Sequence, residues 1–93
     1  MKLEIFTPEA IIFKGDVLSV TLPGLDGEFQ LLNNHTSIIS ALKKGQIRIK
    51  KSGNTEDFNG EVVFDSTDKS LGVFEIKGGV LEMLNDTAIV LAE

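Results

Sequence analysis

The chain has 93 residues, no cysteine and a formal net charge of −5. A chain of this length can bury one modest core, and its hydrophobic content of 42 % is typical of a globular domain. The acidic charge argues against a nucleic-acid partner, the lack of cysteine excludes disulfides and thiol chemistry, and no apolar stretch approaches the ~20 residues that would insert directly into a bilayer.

Apolar and polar residues alternate in the N-terminal half of the chain. Leu3 and Ile5 flank Glu4, and the same alternation continues through Val20 and Leu22. Such a period of two indicates half-buried strands, and Gly, Pro, Asn and Asp mark the turns between them. The pattern predicts strands near residues 2–6, 11–15, 16–22 and 28–32. Residues 36–42 have a spacing that fits either one helical turn or a short buried strand.

The C-terminal half continues the strand pattern, with predicted strands near 45–51, 73–77, 79–84 and 87–92. A strand-like piece at 61–64 and a polar run at 65–70 predict a hairpin inserted near 56–71. Many short strands with closely spaced turns predict one all-β domain over 1–93, a two-sheet β-sandwich of about eight to ten short strands without a C-terminal helical hairpin. Its expected core contains Leu3, Ile5, Val20, Leu22, Ile47, Ile49, Leu81 and Leu91.

A search for catalytic chemistry finds no assembled site. Gly-rich phosphate loops are absent, and His35 is the single histidine of the sequence, so neither a metal cluster nor a histidine relay can form within the chain. The carboxylate pairs lie on turn-like segments, where solvated surface charge is expected. We therefore expect a protein that is not an enzyme and that has no cofactor and no metal. For His35, a polar turn and a loop tip that contacts a partner are both possible.

An ordered series of short segments runs along the chain. It begins with Leu-Glu-Ile-Phe-Thr-Pro-Glu at 3–9, continues at 12–17, 20–24, 27–29, 38–42 and 45–49, and resumes with Gly-Gly-Val-Leu-Glu at 78–82 and Thr-Ala-Ile-Val-Leu-Ala at 87–92. In this order and spacing the series closely resembles the β-sandwich domain of F-type ATP synthase epsilon subunits, which are called delta in mitochondria. The resemblance covers about four-fifths of the chain, which is more specific than any single motif.

The resemblance implies a rotor subunit at the foot of the central stalk. Its partners would be the gamma subunit and the membrane-embedded c-ring, and it would couple ion translocation to ATP synthesis as a peripheral subunit at the cytoplasmic face of the cell membrane. By the same resemblance, Glu28, Gln30 and His35 are candidate contacts to the c-ring or to gamma.

The sequence also departs from the family pattern. Relatives often have Gly-Ile-Leu-Pro-Gly-His where this chain has Gln30-Leu31-Leu32-Asn33-Asn34-His35. The 56–71 insertion has no recognised counterpart, and we expect this domain without the two C-terminal helices that many relatives use for inhibition or ATP binding. An alternative hypothesis is a free-standing β-sandwich module that binds a ligand or a protein. The absence of Trp and Tyr argues against a sugar-type site.

Overall fold

The computed structural model describes residues 1–32 and 37–93, which form nine strands and no helix. The strands are β1 (Lys2–Phe6), β2 (Ile11–Gly24), β3 (Gly27–Leu32), β4 (Ile38–Leu42), β5 (Gly45–Phe58), β6 (Val63–Phe64), β7 (Leu71–Ile76), β8 (Gly79–Leu84) and β9 (Thr87–Ala92). The described part of the chain thus has no helix that could cross a membrane.

Two long strands, β2 and β5, pass through both layers of the fold. The first half of β2 pairs with β1 and with the end of β5, whereas its second half pairs with β3 and with the start of β5. One layer continues from β5 to β7 and β6, and the other continues from β1 to β9, β8 and β4. Register shifts between Lys14 and Ser19 interrupt the β2–β5 ladder, and such irregularities let a strand bend from one layer into the other.

One hydrophobic cluster fills the space between the two layers. It includes Leu3 and Ile5 from one layer and Ile47 and Ile49 from the other, all almost fully buried. No polar or charged side chain of the described residues is buried. This packing confirms the predicted β-sandwich, since alternate residues of each strand point into a shared core.

The turn predicted between the strands at 11–15 and 16–22 is wrong, because β2 is continuous from Ile11 to Gly24. Gly15 is needed for a different reason. A Cβ atom there would lie 2.9 Å from both the carbonyl oxygen of Asn54 and the Cα of Thr55 on β5. The glycine therefore permits close approach of two backbones inside a strand, a use of glycine that sequence patterns do not separate from a turn.

The strand predicted at 45–51 is longer in the structure and runs through the Ser-Gly-Asn sequence to Phe58. The 36–42 segment, whose spacing fitted either one helical turn or a short strand, contains the strand β4. Within the predicted 56–71 hairpin, residues 56–58 belong to β5. Of the strand-like piece at 61–64, only Val63–Phe64 forms a strand, β6, which pairs with β7. Val62 is buried, and the Phe64 ring packs edge-on against Phe58 with centroids 5.3 Å apart.

Seven of the eight predicted core residues are buried, and Leu91 is the exception. Its side chain is 58 % exposed, whereas its neighbours Val90 and Ala92 are buried. The sequence of β9 is apolar at nearly every position, so it carries no alternation from which the inward face could be read. Parallel pairing with β1 decides the orientation, because Ile5 lies opposite Val90 and both point into the core.

Candidate functional site

The first candidate surface is the outer face of β3, which carries the predicted contacts Glu28 and Gln30. A two-residue turn, Leu25-Asp26, joins β2 to β3, and Gly27 follows with φ of +130°, a value that L side chains rarely adopt. Glu28 and Gln30 are both exposed. Because they are two residues apart on a strand, their side chains share one face. The structure therefore brings these two predicted residues together.

Glu28 forms an ion pair across the sheet. Its Oε1 lies 2.7 Å from Nη2 of Arg48, although Arg48 belongs to β5 and β2 separates the two strands. Thr21 of β2 lies opposite both Gln30 and Arg48, and its short side chain leaves room for the contact above the strand. The sequence analysis did not predict the involvement of Arg48, because Arg48 belongs to β5 and β2 lies between β5 and β3.

His35, the third predicted contact, lies outside the described residues, as do residues 33, 34 and 36. Its role therefore stays a prediction. The described neighbours on either side are Leu32, which ends β3, and Ser37, which precedes β4.

A second candidate surface is a row of apolar side chains across the other layer, here called the apolar row. Strand register places its members directly opposite one another on five neighbouring strands. Its members are Ala41, Val80, Leu91, Phe6 and Ile11. Ala41, Val80, Leu91 and Ile11 are exposed, and Phe6 is half-buried. Sequence analysis missed this row. A signal for it was that apolar residues occupy both odd-numbered and even-numbered positions of β9, so that both faces of the strand are apolar.

The row next to it mixes apolar and acidic side chains. Ile39 is 73 % exposed and lies opposite Glu82, which in turn lies opposite Ile89, and Ile89 lies opposite Glu4 of β1. This part of the surface is therefore apolar with acidic neighbours. A partner with complementary chemistry would present apolar side chains and basic groups.

The two candidate surfaces adjoin at β4. A groove of about 530 Å³ separates residues 24–29 of the β2–β3 hairpin from residues 38–41 of β4. Ala41, a member of the apolar row, and Glu28, of the β3 face, both line this groove. The two surfaces therefore meet at this groove. Among the described residues, no three His, Cys, Asp or Glu side chains are grouped to hold a metal ion.

The strand topology and the single core place the chain in the class of small β-sandwich domains. The sequence profile described as ATP synthase, Delta/Epsilon chain, beta-sandwich domain matches residues 1–59. The ATP synthase epsilon chain of Chlorobium limicola is 38 % identical over 92 residues, covering 99 % of this chain and 88 % of that protein. The one of Sulfurimonas denitrificans is 41 % identical over 93 residues, covering 100 % of this chain and 60 % of that protein.

A solved structure with a similar fold is the Tetrahymena thermophila mitochondrial ATP synthase, described as its central stalk and c-ring. One of its chains superposes with a TM-score of 0.72 at 16 % sequence identity, covering 99 % of this chain and 62 % of that chain. The structural comparison shows the fold, and the sequence comparisons show the family. The chain belongs to the ATP synthase epsilon chain family.

Proposed function

We propose that the chain is a rotor subunit of the F-type ATP synthase, which links the gamma subunit to the c-ring in the central stalk. It would couple ion translocation to ATP synthesis by transmitting rotation, and it would catalyse no reaction itself. The observation that carries the proposal is the 38 % identity to an epsilon chain over 99 % of this chain. A compact sandwich suits such a role, because a close-packed core resists deformation under load.

The apolar row is the surface best suited to gamma. A permanent joint between rotor subunits needs a dry, apolar contact, since obligate interfaces resemble a domain core cut in half. Exposed Leu91 and Val80 at the centre of the row supply such a contact. The acidic neighbours Glu4 and Glu82 would pair with basic groups of gamma at the rim, where polar contacts give specificity more than affinity.

The β3 face is the surface best suited to the polar loops of the c-ring. Glu28 and Arg48 present both charges on one exposed patch, with the Gln30 amide beside them. Contacts of this kind are solvated and individually weak. We include His35 in this surface by family resemblance. The subunit would then be peripheral, at the cytoplasmic face of the membrane, and its tie to the bilayer would pass through the c-ring.

The experiment that tests the proposal is binding to the gamma subunit of the same ATP synthase. The two proteins are co-expressed and co-purified, and the dissociation constant is then measured by calorimetry. We expect a stable one-to-one complex for the wild-type chain and a loss of affinity of about tenfold or more for the double variant Val80→Ser, Leu91→Ser.

Leu71→Ser is the matched control, because Leu71 is an exposed apolar residue on the other layer of the sandwich. It should leave the affinity for gamma unchanged. The absence of any complex with gamma would overturn the proposed function. A complex that tolerates Val80→Ser, Leu91→Ser would leave the family role standing and would overturn the choice of surface.

A further inference from the structure

A further groove lies away from the apolar row, and none of its lining residues belongs to that row. It spans the outer face of the layer that runs from β3 through β2, β5 and β7 to β6, and it has a volume of about 750 Å³. Cationic and hydroxyl side chains line its middle, and apolar side chains line one wall. The lining residues that matter here are Thr21, Arg48, Lys50, Val63, Leu71 and Val73.

The middle of the groove collects positive charge on a chain whose net charge is −5. Arg48 and Lys50 are two residues apart on β5, so both side chains point into the groove. Among the described residues no carboxylate oxygen lies within 4.0 Å of the Lys50 Nζ atom, whereas Arg48 is paired with Glu28 at the end of the groove. Lys50 is therefore the stronger candidate for an incoming anion.

Two carboxylates lie in the turn beside the groove, Asp65 and Asp68, and the charge of Lys50 helps to lower the pKa of Asp68. Asp65 accepts hydrogen bonds at its Oδ2 atom from the backbone N–H groups of Thr67 and Asp68, at 3.0 and 2.8 Å, and from the Thr67 hydroxyl. Its lone pairs are thus directed into its own turn. An anion at Lys50 would meet little competition from the Asp65 side chain, and Asp68 would compete only from beyond ion-pair distance.

The apolar wall is built by β6 and β7. Val63 is 67 % exposed and lies directly opposite Val73, and Leu71 of β7 extends the wall toward Lys50. The 1–59 stretch that matches the family profile does not include this wall. The groove is therefore built in part by residues beyond the stretch that the family profile matches.

We propose that this groove binds a small amphipathic carboxylate, with the anionic head at Lys50 and Arg48 and the apolar body against Val63, Leu71 and Val73. The volume lies within the ~300–1,000 Å³ range of small-molecule pockets, and the combination of apolar wall and convergent polar groups is typical of them. A concave groove accommodates one molecule and not a flat bilayer. This binding goes beyond the proposed rotor role, and it shares Arg48 with the proposed c-ring surface.

The test is a titration of the ¹⁵N-labelled chain with sodium decanoate below its critical micelle concentration, followed by amide chemical shifts. We expect saturable shifts that cluster at the lining residues of the groove. Lys50→Gln should weaken binding about threefold, as expected for one solvated ion pair. Val63→Ser should weaken it about three- to tenfold through lost apolar contact, and it should fold, because Val63 is exposed on an edge strand.

Val80→Ser, on the apolar row, is the matched control and should bind decanoate like the wild type. Saturable shifts at the apolar row instead of the groove would overturn the proposal, as would equal affinity for decanol, which lacks the carboxylate. Binding to phosphatidylglycerol vesicles without binding to monomeric decanoate would also overturn it, in favour of a membrane surface. Each of these results is independent of whether the chain binds gamma.

Discussion

Arg48 on β5 and Glu28 on β3 form an ion pair of 2.7 Å that reaches across the intervening strand β2. The side chains are 50 % and 55 % exposed, so water screens the pair on both sides. We expect a coupling free energy between the two residues of about 0.2–1 kcal/mol, falling at high salt. A double-mutant cycle with Glu28→Gln and Arg48→Gln, measured by urea unfolding at low and high salt, checks this value.

The same pair bears on the predicted contact to the c-ring. Glu28→Ala should weaken coupling only mildly, because a single solvated contact contributes little. Arg48→Gln should leave Glu28 without its intramolecular partner and should affect coupling in the same assay. An ATP-driven proton-pumping assay on reconstituted complexes measures both. Complete loss of coupling from Glu28→Ala alone would contradict the view that these residues form a solvated rim.

Cysteine crosslinking tests which surface faces the membrane sector. The chain has no native cysteine, so Glu28→Cys and His35→Cys introduce single reactive sites. Both should crosslink to cysteines in the c-ring loop or in the lower part of gamma. Ser66→Cys, in the polar turn before β7, is the control and should not. Efficient crosslinking from residue 66, with none from 28 or 35, would mean that the β6–β7 turn faces the ring instead of the β3 face.

Neighbouring residues of β9 separate stability from binding. Val90 is fully buried, so Val90→Ala should lower the free energy of unfolding by about 2 kcal/mol and the melting temperature by about 8–15 °C. Leu91→Ala should change the free energy of unfolding by less than about 0.5 kcal/mol, because the side chain is exposed. Leu91→Ala should instead weaken binding to gamma. Calorimetric unfolding of both variants, with the gamma-binding assay alongside, makes the comparison.

The β8–β9 hairpin turns through two residues with positive φ, Asn85 at 52° and Asp86 at 60°. Asn tolerates this conformation better than most residues, and glycine tolerates it best. We therefore expect Asn85→Ala to lower the free energy of unfolding by about 1 kcal/mol. Asn85→Gly should remain close to the wild type. Urea unfolding of the two variants decides between a backbone effect and a lost side-chain contact, since the latter would make both variants equally unstable.

The turn between β6 and β7 should be sensitive to acid. The Thr67 hydroxyl and the N–H groups of Asp68 and Thr67 lower the pKa of Asp65, and the Ser70 hydroxyl and N–H lower the pKa of Asp68. Because both pKa values are lowered on folding, the carboxylates stabilise the turn fully above about pH 4, and this contribution is lost as the pH falls through the folded values.

Carboxyl ¹³C titration of the folded chain should give apparent pKa values for both aspartates below those of a peptide carrying the 65–70 sequence. The Asp65→Asn variant is the control for the turn, because an amide oxygen can accept the same backbone hydrogen bonds without titrating. Its turn should be less sensitive to acid than the wild-type turn, because only Asp68 still titrates there. An unchanged acid response in Asp65→Asn would show that another group is responsible.

Much of the fold could be predicted from local sequence patterns. The alternation around Leu3, Ile5, Val20 and Leu22 predicts the inward faces of β1 and β2, because half-buried strands expose every second residue. The absence of phosphate loops and of histidine clusters led us to expect a protein without an active site of its own, and this stays a prediction. The ordered segments from 3 to 49 already identified the family, which the comparisons confirm.

Tertiary pairing decided the rest. Nothing local distinguishes Gly15 within a strand from a glycine in a turn, because the reason for it is the backbone of β5 at 2.9 Å. The orientation of Leu91 depends on parallel pairing with β1, at the other end of the chain. The pairing of Arg48 with Glu28 likewise depends on the order of three strands. The sequence by itself determined which segments form strands and which family they belong to, since those signals are local. The apolar row, the groove and the ion pair depend on strand order and register, because each joins residues that are distant in sequence.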